Sequence, residues 1–322
     1  MSQASAPSPS RAELEAAHCW DPSDVVARKP AMTAFRQATR LHHARWREAR
    51  GLPIGSQPFR ARAGAEVRPV GNRLALAFAE KTGASLLTPA ALEAARRRMS
   101  FVEHDQSIDR QRLWADLLAS EALAFNLFGD LAADLRRADR AVHAWAPDAP
   151  GRVTDVRFAH SPGRLDPEWL NSLRAFDAAF VLDRGDGTRG ILAVDVKYHE
   201  RLTVETPKPQ NLWRYREVHE RSEAFRPEAF EALHGRSDLW SPWLEQLLLF
   251  SMLQHPSGEW TWGRYALVHP TDNVDMVDLC ARYRDLLTDP STFLPLSLEE
   301  VIGGGVLPRQ TSRLLRERYV AA

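Results

Sequence analysis

The sequence predicts an α/β protein with a mixed central sheet flanked by helices. Strand-like apolar runs, rich in β-branched and aromatic residues, occupy four stretches: 152–160, 176–183, 190–199 and 259–269. A helical pattern at 110–137 precedes the first strand, and another at 241–254 separates the third strand from the fourth. A strand that follows a crossover helix usually lies parallel to its predecessor in the same sheet. The order helix, three strands, helix, strand therefore predicts a mixed sheet.

The elements before this core are predicted to be helical. Residues 1–11 are rich in Ser, Ala and Pro and are typical of a disordered tail. Residues 12–105 are expected to form a helical N-terminal elaboration, and residues 106–322 the core. The predicted helices of the elaboration lie at 12–50 in two pieces, at 71–81 and at 89–100, with a loop at 51–58.

Turn chemistry links the second and third strands of the core. Asp183-Arg184-Gly185-Asp186-Gly187 supplies the residues that tight turns require, so the two strands should pair as an antiparallel hairpin. Further along the chain, residues 205–235 are charged and mostly helical in pattern, and residues 274–287 are predicted to form a helix.

Two acidic residues and one lysine lie within these apolar strands. Side chains two residues apart point to the same face of a strand, so Asp195 and Lys197 should face the same side. Burying a carboxylate and an ammonium costs hydration, so they require a structural or chemical reason. A salt bridge on an edge strand is the structural alternative. With Asp177 on the preceding strand, the set can hold Mg²⁺ beside a basic group, which suits phosphodiester hydrolysis.

The pattern Asp177, hairpin, Asp195-x-Lys197 resembles the PD-(D/E)xK nuclease superfamily, which has a restriction-endonuclease-like fold. Phe176 stands where the motif's name has proline. Two further segments, Ser120-Glu121-Ala122-Leu123-Ala124-Phe125-Asn126-Leu127-Phe128-Gly129 and His160-Ser161-Pro162-Gly163-Arg164, resemble the helix and first-strand signatures of an uncharacterised bacterial branch.

The resemblance implies a metal-dependent nuclease with DNA as the expected substrate. It assigns the metal, Mg²⁺ with Mn²⁺ as the alternative ion, to Asp177, Asp195, the carbonyl of Val196 and Glu121. The implied catalytic residues are Asp177, Asp195, Lys197 and Glu121, with Lys197 orienting or activating the attacking water. The alternative for Glu121 is a surface glutamate paired with Arg112 or Arg136.

Several other residues are weaker candidates. The resemblance suggests that Gln246 could support the site, but an exposed or capping amide is the preferred interpretation. Glu200 could also support the site, with Ser120 as a neighbour, whereas a solvated strand end is the preferred interpretation of His199. His160 and Arg164 end the first strand, where the arginine could meet a phosphate or simply belong to a turn. The basic run at 36–50, with Trp46 inside it, could follow a nucleic-acid backbone or form a solvated face.

Composition limits the function classes. The 42 Lys and Arg residues balance the 42 Asp and Glu residues, which argues against a protein that coats nucleic acid by bulk charge. A catalytically decayed scaffold and a small-molecule hydrolase or transferase stay open as alternatives. Cys19 and Cys280 lie far apart, as expected in a reducing cytoplasm, and no apolar run is long enough to cross a membrane. A paired double-strand cut would need two sites, which a homodimer would supply.

Overall fold

The structure is a computed structural model that describes residues 8–22, 30–58, 66–101, 103, 105, 108–200, 209–234 and 238–320. The strands are β1 Ile54–Gln57, β2 Arg68–Leu74, β3 Arg152–His160, β4 Phe176–Asp183, β5 Arg189–Val196, β6 Trp260–His269 and β7 Phe293–Ser297. The helices are α1 Arg11–Ala16, α2 Pro30–Ala49, α3 Leu76–Thr82, α4 Pro89–Ser100, α5 Arg110–Ala115, α6 Ser120–Ala133, α7 Leu135–Trp145, α8 Leu212–Ser222, α9 Ala229–His234, α10 Trp240–Leu253, α11 Val274–Arg284, α12 Leu298–Gly303 and α13 Arg309–Tyr319.

A mixed sheet of five strands, in the order β3-β4-β5-β6-β7, organises the fold. The pairs β3/β4 and β4/β5 are antiparallel, whereas β5/β6 and β6/β7 are parallel. The α10 crossover between β5 and β6 accounts for the change to parallel pairing, because a hairpin turn cannot join parallel strands. The predicted fold class is confirmed. β5 is the middle strand, so the alternative that placed Asp195 and Lys197 on an edge strand is wrong in that position.

The two faces of the sheet are covered by different helices. Leu192, Val194 and Val196 pack on one face in a core that includes α6 and α7. Ile191 and Ala193 pack on the other face, where α10 lies against β6. Because the two faces of β5 are both covered, any polar side chain on this strand is removed from water unless it lies at the strand's end.

The β4–β5 hairpin fixes which residues of the two strands lie opposite each other. Ala178 pairs with Val194 in the antiparallel register, and one further step places Asp177 opposite Asp195. The turn uses Gly185 at φ 77° and Gly187 at φ 85°, backbone conformations that residues with a Cβ rarely adopt. The predicted hairpin is therefore observed with the turn residues that the sequence indicated.

The N-terminal elaboration differs from the prediction of helices alone. β1 and β2 form a two-stranded antiparallel sheet where a loop at 51–58 and a helix from residue 71 were expected. The helix begins only at Leu76, because residues 68–74 are committed to pairing with β1. The predicted tail at 1–11 falls largely outside the described residues, although Ser10 caps α1, which begins at Arg11. The predicted boundary between the elaboration and the core, at residues 105 and 106, stays a prediction. Trp46 and Leu74 of the elaboration pack in the same hydrophobic cluster as residues of α6, which lies in the predicted core.

The prediction of a single helix at 110–137 is wrong, because two aspartates divide this stretch into α5, α6 and α7. Asp116 adopts an extended conformation after α5, and its carboxylate accepts a hydrogen bond from the N–H of Leu118. Asp134 ends α6 and caps α7 by accepting a hydrogen bond from the N–H of Arg137. Aspartate side chains compete with the helix for backbone N–H groups, so they favour helix ends over helix interiors.

Candidate active site

The candidate site lies where the start of β4 meets the end of β5. The N–H of Val196 donates a 2.7 Å hydrogen bond to Oδ2 of Asp177, which ties this carboxylate to the neighbouring strand. The Asp177 and Asp195 carboxyls lie opposite each other on the two strands, close enough for each to shift the pKa of the other. Asp195 is only 3% exposed, so this pair of acids is largely shielded from water.

The environment of the two aspartates separates their pKa values. Burial, followed by the negative charge of Asp195, raises the pKa of Asp177 well above its ordinary value. Burial also acts to raise the pKa of Asp195, but the charge of Lys197 and the hydrogen bond from Asp177 outweigh burial and lower that pKa. Asp177 is therefore the acid of the pair that binds a proton more readily, because its carboxyl lies beside the negative charge of Asp195.

Lys197 supplies the positive charge of this cluster. Its Nζ lies 2.8 Å from Oδ2 of Asp195, as expected for side chains two residues apart on an extended strand. The N–H of Lys197 donates to the carbonyl of Val268, which continues the pairing with β6 beyond Val196. Burial alone would lower the pKa of Lys197, but the charges of Asp195 and Asp177 outweigh burial and raise it. The side chain is therefore a charged ammonium at neutral pH.

Glu121 lies near Lys197 but is ion-paired with Arg112. Nη1 of Arg112 is 3.3 Å from Oε1 of Glu121, which is the structural alternative expected from the sequence. The other oxygen, Oε2, is buried without a hydrogen-bond partner among the described residues. Burial raises the pKa of Glu121, against the opposing charge of Arg112. The first turn of α6 thus presents a carboxylate oxygen that can still accept a hydrogen bond.

Glu200 joins the end of β5 to the start of α6. Ser120 Oγ donates a 2.5 Å hydrogen bond to Oε1 of Glu200, and the N–H of Tyr198 donates a 2.6 Å hydrogen bond to Oε2. Arg112 Nη2 lies 3.7 Å from the same Oε1. Glu200 and Ser120 therefore position the two elements that carry Lys197 and Glu121.

Sequence reasoning missed Glu245 and Arg174. Glu245 of α10 is 4% exposed, and its Oε2 has no hydrogen-bond partner among the described residues. Burial, followed by the negative charge of Asp195, raises the pKa of Glu245 to about 7. Arg174 Nη1 lies 3.5 Å from Oε1 of Glu245, and the positive charge of Arg174 also helps to lower the pKa of Asp195. The signal in the sequence was a lone acid within an almost wholly apolar helix.

Gln246, the residue chosen from the sequence, lies next to Glu245 but serves the core. It accepts a 2.7 Å hydrogen bond from the Tyr283 hydroxyl and donates a 3.0 Å hydrogen bond to Thr292 Oγ1. It is fully buried, so the preferred interpretation of Gln246 as an exposed or capping amide is wrong. Adjacent residues on a helix point about 100° apart, which separates Glu245 from Gln246.

The other polar residues that the sequence suggested, Arg164, His160 and His199, make structural contacts or are buried. Arg164 is buried, ion-paired with Glu103, and donates a 2.9 Å hydrogen bond to the carbonyl of Ala159, so the structure does not direct it at a phosphate. Burial lowers the pKa of His160 to about 3, which keeps its ring neutral. His199 is half-buried, and its carbonyl accepts a 2.9 Å hydrogen bond from Arg36, so it is not a solvated strand end.

The basic run at 36–50 does not form a continuous solvated face. Arg40, Trp46 and Arg47 are less than a tenth exposed, and Arg47 donates hydrogen bonds to the carbonyls of Gly71 and Leu52. Much of the run therefore holds the elaboration together. Arg36 and Arg40 instead line a cavity beside the site.

The donor set suits a hard divalent cation. Asp177, Asp195 and the backbone carbonyl of Val196 are oxygen donors, which Mg²⁺ and Mn²⁺ prefer, and Mg²⁺ normally keeps several waters. The described part of the chain contains no group of three or more His, Cys, Asp or Glu side chains arranged to hold one metal ion. The buried, unpartnered oxygens of Glu121 and Glu245 are acceptors that ordered water could satisfy.

Comparison with known protein families assigns the chain to one of them. A family model of the PD-(D/E)XK nuclease superfamily matches residues 30–321. The match spans most of the 322 residues, and the chain belongs to this superfamily. Searches of curated proteins and of solved structures yield no match to the chain. Within the described residues, no helix is long and apolar enough to cross a membrane.

Proposed function

We propose that this protein is a metal-dependent endonuclease that hydrolyses phosphodiester bonds in DNA, with Mg²⁺, or Mn²⁺ in its place, as the cofactor. The observation that carries the proposal is the convergence of Asp177, Asp195 and Lys197 at one end of the sheet. The cross-strand position of Asp177 opposite Asp195 and the 2.8 Å Lys197–Asp195 ion pair define this convergence. Superfamily membership supports a nuclease in general.

The two aspartates are suited to binding a cation. They are close enough to share one proton, and a divalent ion that replaces this proton would let both ionise. The carbonyl of Val196 would complete the set of protein ligands. When bound, the metal polarises the scissile phosphate and lowers the pKa of a coordinated water.

The other side chains of the site would position the attacking water, stabilise the charge on the phosphate and hold a metal ligand in place. The ammonium of Lys197 would orient the attacking water and stabilise the negative charge that develops on the phosphate. Glu121 would accept a hydrogen bond from a water at the site through its unpartnered Oε2. Glu245 and Arg174 would hold Asp195 from the α10 side and so fix the position of a metal ligand.

The test is cleavage of plasmid DNA, single-stranded DNA and RNA with Mg²⁺ or Mn²⁺. The parent should cut DNA, and Asp195→Asn and Lys197→Met should each lower the rate at least about a hundredfold, because each removes a charge that stabilises the transition state. The matched controls Asp285→Asn and Lys81→Met change exposed residues and should keep the parent rate.

Metal binding, measured by calorimetry, separates the alternatives. Binding that Asp195→Asn abolishes, without cleavage of any substrate, would contradict the nuclease and favour a partner-dependent or small-molecule enzyme. A folded parent that neither binds metal nor cuts would point to a decayed scaffold.

A further inference from the structure

A polar cavity of about 290 Å³ lies beside the candidate active site. Its walls come from the segment that follows α1, from α2, β1, β2 and α5 with the residues after it, and from the segment that follows β5. Five arginines line it, and we call it the arginine pocket: Arg36, Arg40, Arg68, Arg73 and Arg112. Most of this wall belongs to the N-terminal elaboration and not to the five-stranded sheet.

The charge of the arginine pocket favours an anion. Among the described residues, five guanidinium groups face three lining carboxylates, those of Asp21, Asp116 and Glu200. Burial, opposed by the charge of Asp116, lowers the pKa of Arg73, and the positive charges of Arg68 and Arg112 lower it further. Arg68 and Arg112 therefore repel Arg73, whereas the charges of Glu121 and Glu200 outweigh burial and raise the pKa of Arg112. A bound anion would relieve the repulsion at Arg73.

The backbone holds several of these guanidiniums in place. Arg40 donates a 2.9 Å hydrogen bond to the carbonyl of Cys19, Arg36 donates a 2.9 Å hydrogen bond to the carbonyl of His199, and Arg73 donates a 3.0 Å hydrogen bond to the carbonyl of Ser56. Such contacts fix the side chains before a ligand arrives, which reduces the entropy lost on binding. Arg68, at the start of β2, is exposed.

The arginine pocket and the candidate active site share a wall. Arg112 and Glu200 line the pocket, and Arg112 is also paired with Glu121. The negative charge of Glu200 acts on Lys197, the residue two positions after Asp195. A ligand in the pocket would therefore lie next to the end of β5 that carries the proposed catalytic residues.

We propose that the arginine pocket binds the phosphate of a single nucleotide at the end of a nucleic-acid strand, such as an end that the proposed endonuclease has just produced. This inference rests on the proposed nuclease function. A cavity of about 290 Å³ is near the lower limit of small-molecule sites, which suits a single nucleotide. Arginine guanidiniums bind phosphate through paired charge-assisted hydrogen bonds, which matches the composition of the wall.

The first experiment measures binding of thymidine 5′-monophosphate to the full chain by calorimetry without a metal ion. Thymidine and inorganic phosphate serve as comparison ligands. We expect the nucleotide to bind more tightly than thymidine, and Arg68→Ala to weaken its binding about tenfold, as loss of one charge-assisted contact predicts. Arg96→Ala removes an exposed arginine of α4 outside the pocket and should bind like the parent. Unchanged unfolding midpoints would show that both variants are folded.

A second arm identifies the source of the phosphate. Single-stranded oligonucleotides with a 5′-phosphate or a 5′-hydroxyl are bound to the Asp195→Asn variant and compared by fluorescence anisotropy. We expect the phosphorylated strand to bind more tightly, and Arg68→Ala in the same background to remove the difference. Equal binding of the two strands would overturn the assignment to a strand end.

Other outcomes also overturn the proposal. The pocket is not a phosphate site if the nucleotide binds no better than thymidine, or if Arg68→Ala and Arg96→Ala behave alike. Neither experiment measures cleavage. A protein that binds the nucleotide but cuts no substrate would therefore contradict the proposed nuclease activity and leave the phosphate site standing.

Discussion

At the scale of single residues, the site shows how neighbouring charges assign different roles to similar side chains. Asp177 and Asp195 face each other, yet the pKa of Asp177 is raised by burial and by Asp195, whereas Lys197 helps to lower the pKa of Asp195. The acid on the α10 side, Glu245, is partly balanced by Arg174. Proximity to a cation therefore decides which carboxyl ionises.

Glu245 and Gln246 offer a matched test of position. We expect Glu245→Gln to lower metal affinity or cleavage roughly ten- to a hundredfold, because it removes a charge beside a proposed metal ligand while keeping its shape. Gln246→Leu should leave metal affinity unchanged but lower the free energy of unfolding by about 1–3 kcal/mol, since it removes the partner of the buried Tyr283 hydroxyl. Calorimetric metal titration and urea unfolding measure the two effects. The same loss of metal affinity in both variants would contradict a special role for Glu245.

At the scale of elements, close packing of α4 on α6 supports the helix that carries Glu121. A Cβ built on Gly129 would lie 2.5 Å from the Cα of Ala91, which is closer than real contacts allow. The glycine lets the backbones of the two helices approach each other. It thereby helps α6 to place its first turn at the end of β5.

Gly129→Ala should therefore destabilise the protein although alanine is the better helix former. Helix propensity favours alanine by about 1 kcal/mol, whereas the clash with the Ala91 backbone costs about 1–3 kcal/mol. We expect a net loss of about 1 kcal/mol in the free energy of unfolding, measured by urea denaturation. Gly303→Ala is the control, because its Cβ would approach only the end of the Arg316 side chain, at 3.1 Å. A stabilised Gly129→Ala variant would show that α4 can move away.

At the scale of the whole molecule, buried histidines link stability to pH. Burial lowers the pKa of His219 to about 4 and that of His160 to about 3, and it lowers the pKa of His43 well below the ordinary value of 6.5. The unfolded chain protonates these rings near pH 6.5, whereas the folded chain does so only at lower pH. The unfolded state thus binds more protons below pH 6.5, and the free energy of unfolding falls as the pH falls through this window.

His219→Gln should remove one such contribution. Lowering the pH from 7.5 to 5.5 should cost the parent about 1 kcal/mol more than it costs this variant, because His219 stays neutral when folded but is protonated when unfolded. Carboxyls with raised pKa values act in the opposite direction, so the difference between parent and variant is the quantity to measure, by urea unfolding at both pH values. His18→Asn, at an exposed position with φ 54°, is the control. An equal loss in parent and His219→Gln would exclude this linkage.

Local patterns predicted the sheet more closely than the N-terminal elaboration. β3 and β4 have the predicted bounds, because apolar and β-branched runs between turn residues identify strands wherever they pack. β1 and β2 were missed, since short strands of mixed polarity depend on each other for pairing. β7 and α13 were also not predicted, although α13 buries Arg318 and Tyr319.

Local patterns were enough to predict the order of the core strands and the shared face of Asp195 and Lys197, because strand geometry is a local property with a period of two residues. The packing of the folded chain, in contrast, set Asp177 opposite Asp195, brought Glu245 and not Gln246 near this pair, and gathered five arginines around one cavity. These contacts join residues distant in the chain. Their distances depend on how whole elements pack, which no local pattern records.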